Sequence, residues 1–383
     1  MHRKITNRLD LNIGKKCNNK CKFCYYLKDV DKQFTSLNEL KSVLKSYKKF
    51  GIKKLHITGG EPLIYSYITD IVEYAKKMKF EDIAIITNGS NLKNEVLISN
   101  LSNAGVDSFI VSIHAHNAEI HNGLTQNKFS FQNILEGIEI LKKLNIPFAV
   151  NFVINKLNYK YLSDFANFML EIKPTEVAFL NLNPMDNAED SFNDLVFKYS
   201  ELDNYVNQAI KILKSENIKY QIKFIPFCCL NSENKSALYN LPQALYEDWE
   251  WNYKVRYLLH YGKFTYLKNL LFSFKNFDKI QIKSIPFKSL EYLNVIISIA
   301  HFYYQKTSEC EKCSHKLICE GVSKSYINLF GKEEIKAIGG NLIANSDYYL
   351  NPSENLKINL SDRILNNMFY NLSKLINKPK RLC

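Results

Sequence analysis

No stretch of this 383-residue chain approaches the ~20 uninterrupted apolar residues that a membrane-spanning helix needs, so no membrane segment is expected. The N-terminal Met-His-Arg-Lys-Ile-Thr leads straight into a strand pattern without a signal-peptide core. Cys383 stands last, where it cannot be the prenylated cysteine of a four-residue C-terminal box. The expected location is therefore the cytoplasm. No glycine-rich phosphate loop follows the first strand pattern, which removes the main signature of a doubly wound nucleotide-binding sheet. No internal repeat is visible beyond an alternation of strands and helices. Acidic residues are in deficit, 38 against 51 lysines and arginines, for a net charge of +13. The lysines are scattered along the chain at surface-helix spacing, within a bias to Lys, Asn, Ile and Tyr that an AT-rich genome produces. A solvated basic surface is the expectation, and nucleic acid is not an expected partner.

Cysteine is what the chain has in unusual arrangement. Nine cysteines in a cytosolic protein argue for metal or redox chemistry rather than a disulfide framework. They fall as Cys17, Cys21 and Cys24, then Cys228 and Cys229, then Cys310, Cys313 and Cys319, then Cys383. Two separated triplets read as two metal sites. The first triplet is one thiolate short of a closed tetrahedral zinc site, and a distant fourth ligand would be required to make one. Three thiolates do suit a cubane iron–sulfur cluster with one iron left open; four would cap every iron and favour electron transfer.

Strand patterns at residues 10–14, 54–58, 83–87, 108–113, 148–154 and 176–182 alternate with helical patterns at residues 67–79, 92–103, 133–144 and 161–172. A further helix begins near Leu37, with Ser36 or Thr35 as its cap. Six such units predict an α/β fold, a partial (β/α)6 TIM-like barrel with its active site at the C-terminal ends of the strands. The expected divisions are 1–226 for the barrel, 227–309 for an aromatic-rich helical insert, and 310–383 for a smaller C-terminal iron–sulfur region and tail.

The run Cys17-Asn-Asn-Lys-Cys21-Lys-Phe23-Cys24 resembles the signature of the radical S-adenosylmethionine (radical SAM) enzymes. Gly59-Gly60-Glu61-Pro62, one β/α unit later, resembles the Gly-Gly-Glu-Pro motif of the same family. The resemblance covers roughly residues 10–226. It implies a [4Fe-4S] cluster on Cys17, Cys21 and Cys24, whose open iron chelates S-adenosylmethionine. It also implies that Gly59, Gly60, Glu61 and Pro62 hold the methionine amino group, with glycines letting the main chain approach the ligand closely, and that Phe23 packs on the adenine. Asn88, Ser112 and Asn151, with Asn155, stand at strand ends where the family has polar cofactor contacts; ordinary strand-end hydrogen bonding is the competing account. The family's fifth-strand glycine/glutamate motif is not recognisable. His114, His116 and His121 are expected to be structural or substrate-facing rather than metal-binding.

The triplet Cys310, Cys313 and Cys319 resembles the core of the SPASM and Twitch auxiliary-cluster domains, although Ser323 stands where the full SPASM pattern has a further cysteine. That resemblance implies one auxiliary iron–sulfur cluster, [4Fe-4S] by preference, with Cys228 or Cys229 as fourth ligand; a zinc ribbon is the alternative. The expected activity is reductive cleavage of S-adenosylmethionine and hydrogen abstraction under anaerobic conditions. A peptide substrate is placed first and a small-molecule oxidoreductase of cofactor or tetrapyrrole metabolism second. A non-catalytic iron–sulfur carrier and an RNA-modifying enzyme stand behind them. The partners implied are an electron donor such as flavodoxin or ferredoxin and, since no leader-binding domain precedes the first strand, a separate leader-peptide-binding protein.

Overall fold

Short strands of alternating character build the larger part of the molecule. The computed structural model describes residues 8–24, 26, 32–49, 52–182, 193–240, 304–343 and 348–349. The chain divides into two compact units, residues 7–224 and a second running from 225 to the C-terminus together with residues 1–6.

In the first unit β1 (Arg8–Asn12), β2 (Lys54–Thr58), β3 (Glu81–Thr87), β4 (Ser108–Ser112), β5 (Phe148–Ile154), β6 (Glu176–Asn181) and β7 (Lys219–Lys223) pair in sequence order. Every one of these pairings is parallel. The crossovers are α1 (Leu37–Lys49), α2 (Ile68–Lys77), α3 (Glu95–Ala104), α4 (Ala118–Thr125) with α5 (Ser130–Lys143), α6 (Leu162–Ile172) and α7 (Asp203–Ser215). This is a parallel half-barrel of the TIM-like kind. Within residues 7–224 it has one strand more than the six read from the sequence. Lys-Tyr-Gln-Ile-Lys of β7 buries only Ile222 fully, too few apolar positions to register as a strand. The eight-residue α4 likewise has too few apolar positions to announce a helix.

Local chemistry fixes the helix starts. Ser36 caps α1 as a capping box: its Oγ accepts from Glu39 N at 3.3 Å, and Glu39 Oε2 accepts from Ser36 N at 3.1 Å. Asn94 and Asn117 cap α3 and α4 through Leu97 N and Ile120 N.

The pairing register tells which face is which. Phe152 of β5 lies 4.2 Å, ring to ring, from Phe165 of α6, so its side of the sheet is the helix-covered side. Following the ladder from Phe152, that face carries Phe179, Val150, Val111, Phe109, Ile85, Ile57 and Leu11, all buried. The opposite, inner face carries Asp10, Asn12, His56, Ala84, Ile110, Ser112, Asn151, Ala178 and Gln221, by the same register. An apolar outer face and a polar inner face are what a barrel with a site inside it requires.

In the second unit a 3-10 turn, Phe227–Cys229, is followed by a two-stranded antiparallel ladder pairing Tyr304–Gln305 with Val322–Ser323, and by a helix, Lys324–Phe330. Most of the expected aromatic insert, residues 241–303, and the tail beyond residue 349 lie outside the described residues. No helix among the described residues is long and apolar enough to cross a membrane.

Candidate functional site

The loop after β1 carries Cys17, Cys21 and Cys24, and its main chain is docked on α4. Lys20 N and Lys22 N donate to Thr125 O and Leu124 O, each at 3.0 Å. Asn19 is buried and accepts from Asn127 Nδ2 at 2.7 Å, while its own amide reaches Ser130 Oγ at 3.4 Å. Sulfur atoms of this loop already receive donors: Asn19 N to Cys17 Sγ and Tyr26 N to Cys24 Sγ, both at 3.4 Å, and Asn88 Nδ2 to Cys17 Sγ at 3.6 Å. Burial pushes the Cys17 and Cys21 thiols up, and the charges of the neighbouring cysteines and of Glu61 push them further. Cys17, Cys21 and Cys24 push one another's thiols up by charge, which a cationic centre would relieve, and hydrogen bonds to sulfur are how proteins support iron–sulfur clusters. The donor set fits such a cluster. Among the described residues no group of three or more Cys, His, Asp or Glu is gathered as ligands of a single ion.

Gly59-Gly60-Glu61-Pro62 leaves β2 directly against the entry to that loop. Gly60 N donates to Gly14 O at 2.8 Å and Glu61 N to Lys16 O at 2.9 Å. A Cβ on Gly60 would stand 2.0 Å from Lys16 O, and one on Gly59, whose φ is +145°, would stand 2.6 Å from Gly14 O. Here glycine permits a close approach to the chain's own main chain. Glu61 is fully buried and its carboxylate is busy. It accepts from Leu63 N at 2.9 Å, Thr87 Oγ1 at 2.6 Å and Asn88 N at 2.6 Å, tying the ends of β2 and β3 together. Desolvation raises its pKa to about 7 in spite of those three donors. A carboxylate has about four acceptor positions, so roughly one is left for a further donor. Pro62 opens the short helical turn that follows.

Asn88 links this corner to the cysteines. Its amide donates to Asn18 Oδ1 at 2.8 Å, its carbonyl accepts from Ser90 N at 3.0 Å, and Asn18 Nδ2 donates to Ser90 Oγ at 2.8 Å. Ser112 and Asn151 are register partners on the inner face, at the C-terminal ends of β4 and β5. Neither side chain has a hydrogen bond to the described residues. Asn155 differs: it is fully buried and spent on its own turn, accepting from Leu157 N at 3.0 Å.

Phe23 meets the edge of His114 at 4.8 Å. His114 Nδ1 accepts from Val153 N and His121 Nδ1 accepts from His114 N, both at 3.2 Å, while His121 Nε2 faces Ser130 Oγ at 3.1 Å. Each ring thus carries its proton on Nε2. Burial lowers both pKa values, that of His121 to about 4, so the pair is neutral and structural, bracing β4, β5 and α4. His116 stands apart, beside Asn117 Nδ2 at 3.0 Å.

One inner-face feature was not read from the sequence. His56 Nδ1 lies 3.2 Å from Asp10 Oδ1, and both side chains are about nine-tenths buried. The signal was there, since each polar residue interrupts a buried apolar strand.

The second unit gathers the other cysteines. A cavity is lined by Cys228, Cys310, Cys313 and Cys319 with Lys306, His315 and Lys336. Gly321 N donates to Cys319 Sγ and Ile338 N to Cys313 Sγ, both at 3.4 Å; Thr307 Oγ1 lies 3.5 Å from Cys310 Sγ, and the Lys336 main chain bonds Cys228. Cys229 does not line the cavity. Its Sγ is 3.9 Å from that of Cys228; their hydrogen bond, and then burial, push the Cys229 thiol well up, while the same hydrogen bond draws the Cys228 thiol down against the effect of burial.

Residues 11–169 match the Radical SAM superfamily. The chain is 28% identical over 223 residues to a probable GTP 3′,8-cyclase of Methanocaldococcus jannaschii, covering 57% of this chain and 72% of that protein. It is 28% identical over 188 residues to a probable GTP 3′,8-cyclase of Saccharolobus solfataricus, covering 49% of this chain and 60% of that one. Among solved structures it resembles Streptococcus suis SuiB bound to S-adenosylmethionine, with a TM-score of 0.49 and 16% identity over 57% of this chain and 50% of that structure's. The chain thus spans about half the length of that solved structure. Residues 11–169 thus carry a radical SAM domain, which implies a [4Fe-4S] cluster, S-adenosylmethionine and an enzyme of radical SAM type.

Proposed function

We propose that this enzyme acts on a small molecule in cofactor biosynthesis, with a purine nucleotide such as GTP as the first substrate to try. The similarity to GTP 3′,8-cyclases carries this reading. It displaces the peptide substrate placed first on sequence grounds. Bound cluster and S-adenosylmethionine would supply a 5′-deoxyadenosyl radical that takes a hydrogen atom from the substrate. Cys17, Cys21 and Cys24 hold the cluster in this proposal. Glu61, through its remaining acceptor position, and the carbonyls of Gly59 and Gly60 face the methionine ammonium, and Pro62 fixes the turn. Phe23 packs on the adenine, with Asn88 steadying the cysteine loop. Ser112 and Asn151, with unspent hydrogen-bonding capacity on the inner face, orient the ribose or the substrate. An external electron donor of flavodoxin or ferredoxin type completes the cycle.

Cys228, Cys310, Cys313 and Cys319 hold an auxiliary [4Fe-4S] cluster in the same proposal. Four thiols around one cavity, three of them receiving main-chain hydrogen bonds and Cys310 facing Thr307 Oγ1, support it, and they favour Cys228 over Cys229 as the fourth ligand.

The test is anaerobic reconstitution with dithionite, S-adenosylmethionine and GTP, followed by chromatography for 5′-deoxyadenosine and a cyclised nucleotide. GTP-dependent formation of both supports the reading. Deoxyadenosine formed at the same rate with and without GTP, and no new nucleotide, would reject GTP as substrate.

A further inference from the structure

We infer that the turn between α4 and α5, which displays Phe129 with Lys20 and Lys128 beside it, is the docking surface of an acidic, flavodoxin-type electron carrier. The inference rests on the external electron donor of the proposed function and names the place where it meets this chain. Phe129 is 70% exposed, and single exposed apolar side chains are ordinary on folded proteins. Its position is what sets it apart. It stands at the N-cap of α5, where Ser, Thr, Asp and Asn stabilise a helix, and its own side chain caps nothing. The fold therefore gains neither a cap nor much burial from a phenyl ring there. The turn that presents it is nevertheless braced. Asn127 Oδ1 accepts from Phe129 N at 3.1 Å, Asn122 Nδ2 donates to Lys128 O at 2.8 Å, and Asn133 N donates to Phe129 O at 2.9 Å. The ring is held out to solvent from a fixed main chain.

The same turn is bonded to the cysteine loop. Asn127 Nδ2 donates to Asn19 Oδ1 at 2.7 Å, Asn19 Nδ2 reaches Ser130 Oγ at 3.4 Å, and Lys20 N donates to Thr125 O at 3.0 Å. Cys21 follows Lys20 directly, so a partner seated on Phe129 is joined to a cluster thiol by a short run of hydrogen-bonded main chain. Charge selects that partner. Lys20 and Lys128 are exposed, and neither has an ion-pair partner among the described residues. On a chain of net charge +13 they attract an acidic protein and speed its encounter. An apolar ring beside two ammonium groups complements a flavin edge that emerges, among carboxylates, from the crevice at the strand ends of a flavodoxin. A ferredoxin, whose cluster lies beneath its own cysteine loops, offers no such apolar edge. One electron passes across the contact: the reduced flavin loses it, the cluster on Cys17, Cys21 and Cys24 gains it, and no bond forms or breaks.

The experiment uses the full-length, cluster-reconstituted protein with a bacterial flavodoxin as the probe. In its first arm a carbodiimide joins flavodoxin carboxylates to lysines of the wild type, and mass spectrometry maps the links. They should fall on Lys20 and Lys128. Links confined to other lysines, or no linked complex, would overturn the proposal, as would a ferredoxin that links to these two lysines where flavodoxin does not. The second arm follows 5′-deoxyadenosine formation driven by reduced flavodoxin. Phe129→Ser and Lys128→Glu should each raise KM for flavodoxin about ten-fold, as loss of an interface anchor does, and added salt should raise it less in Lys128→Glu than in wild type. Formation driven by dithionite should be unchanged in both, because a small reductant needs no docking surface. Val96→Ser, at a side chain of α3 that is 71% exposed, is the control and should change neither. Iron content and thermal melting check that each variant is folded and loaded. Unchanged KM for flavodoxin in both variants would overturn the proposal. If wild type forms no deoxyadenosine with dithionite, the radical reading fails on its own and the cross-linking arm decides.

Discussion

Gly60→Ala puts the tightest contact in the candidate site to a quantitative test. Its added Cβ would stand 2.0 Å from Lys16 O and 2.5 Å from Lys16 C, both main-chain atoms that cannot rotate away. The chain must separate there, and the two hydrogen bonds that hold it together, Gly60 N to Gly14 O and Glu61 N to Lys16 O, go with it. At about 0.5–1.5 kcal/mol each these contribute roughly 1–3 kcal/mol, and the buried main-chain groups left without partners add to that cost. The total is about 3 kcal/mol, a large share of the ~5–15 kcal/mol that holds a typical domain folded. Gly123→Ala is the matched control, for in α4 its Cβ meets nothing within 4 Å. Removing a helix-interior glycine should stabilise by about 0.5–1 kcal/mol. Urea unfolding of the metal-free proteins, at fixed pH, measures both. Because Lys16 precedes Cys17, Gly60→Ala should also lower iron uptake on reconstitution, while Gly123→Ala should not. A Gly60→Ala protein within about 0.5 kcal/mol of wild type, or one that loads iron normally, would refute the argument that the two loops are locked main chain to main chain.

Asn88→Leu removes the amide donor to Cys17 Sγ and the links to Asn18 and Ser90. The cluster potential should fall, since a sulfur loses a hydrogen bond, and an EPR-monitored redox titration reads the shift. Burial lifts Glu61 from 4.5 to about 7, so the folded state binds its proton more tightly than the unfolded state. The stability contributed by this group is full below pH ~4.5 and is lost as pH rises through ~7; the wild-type minus Glu61→Gln difference across that range isolates it, and a flat difference would contradict it. His121 works in the opposite sense, its lowered pKa of about 4 costing stability as pH falls below 6.5. Cys228→Ser should reduce iron bound by the second unit whereas Cys229→Ser should not; equal loss from both would remove the distinction between them.

Spacing made the cysteine loop and the Gly-Gly-Glu-Pro turn legible, because ligand number and order survive any folding. The parallel sheet was legible for a similar reason: buried strands such as Phe148–Ile154 alternate with amphipathic helices of ordinary length. What could not be read depends on partners distant in sequence. Nothing within β7 marks it as a strand, since only pairing with β6 makes Ile222 a core residue. Glu61 reads as a ligand for an ammonium, yet three of its acceptor positions are taken by Leu63, Thr87 and Asn88. The choice between Cys228 and Cys229 turns on which neighbour faces the cavity, a matter of side-chain direction in a single 3-10 turn. The inner-face pair Asp10 and His56 is 46 residues apart in the chain and adjacent only by register.

The docking of Lys20 and Lys22 on the last turn of α4 ties the cysteine loop to that helix main chain to main chain. Only amides and carbonyls make the two bonds, so the side chains at these positions can change without removing either. The path of the loop between Cys17 and Cys24 is therefore specified by where α4 ends rather than by which residues stand between the cysteines.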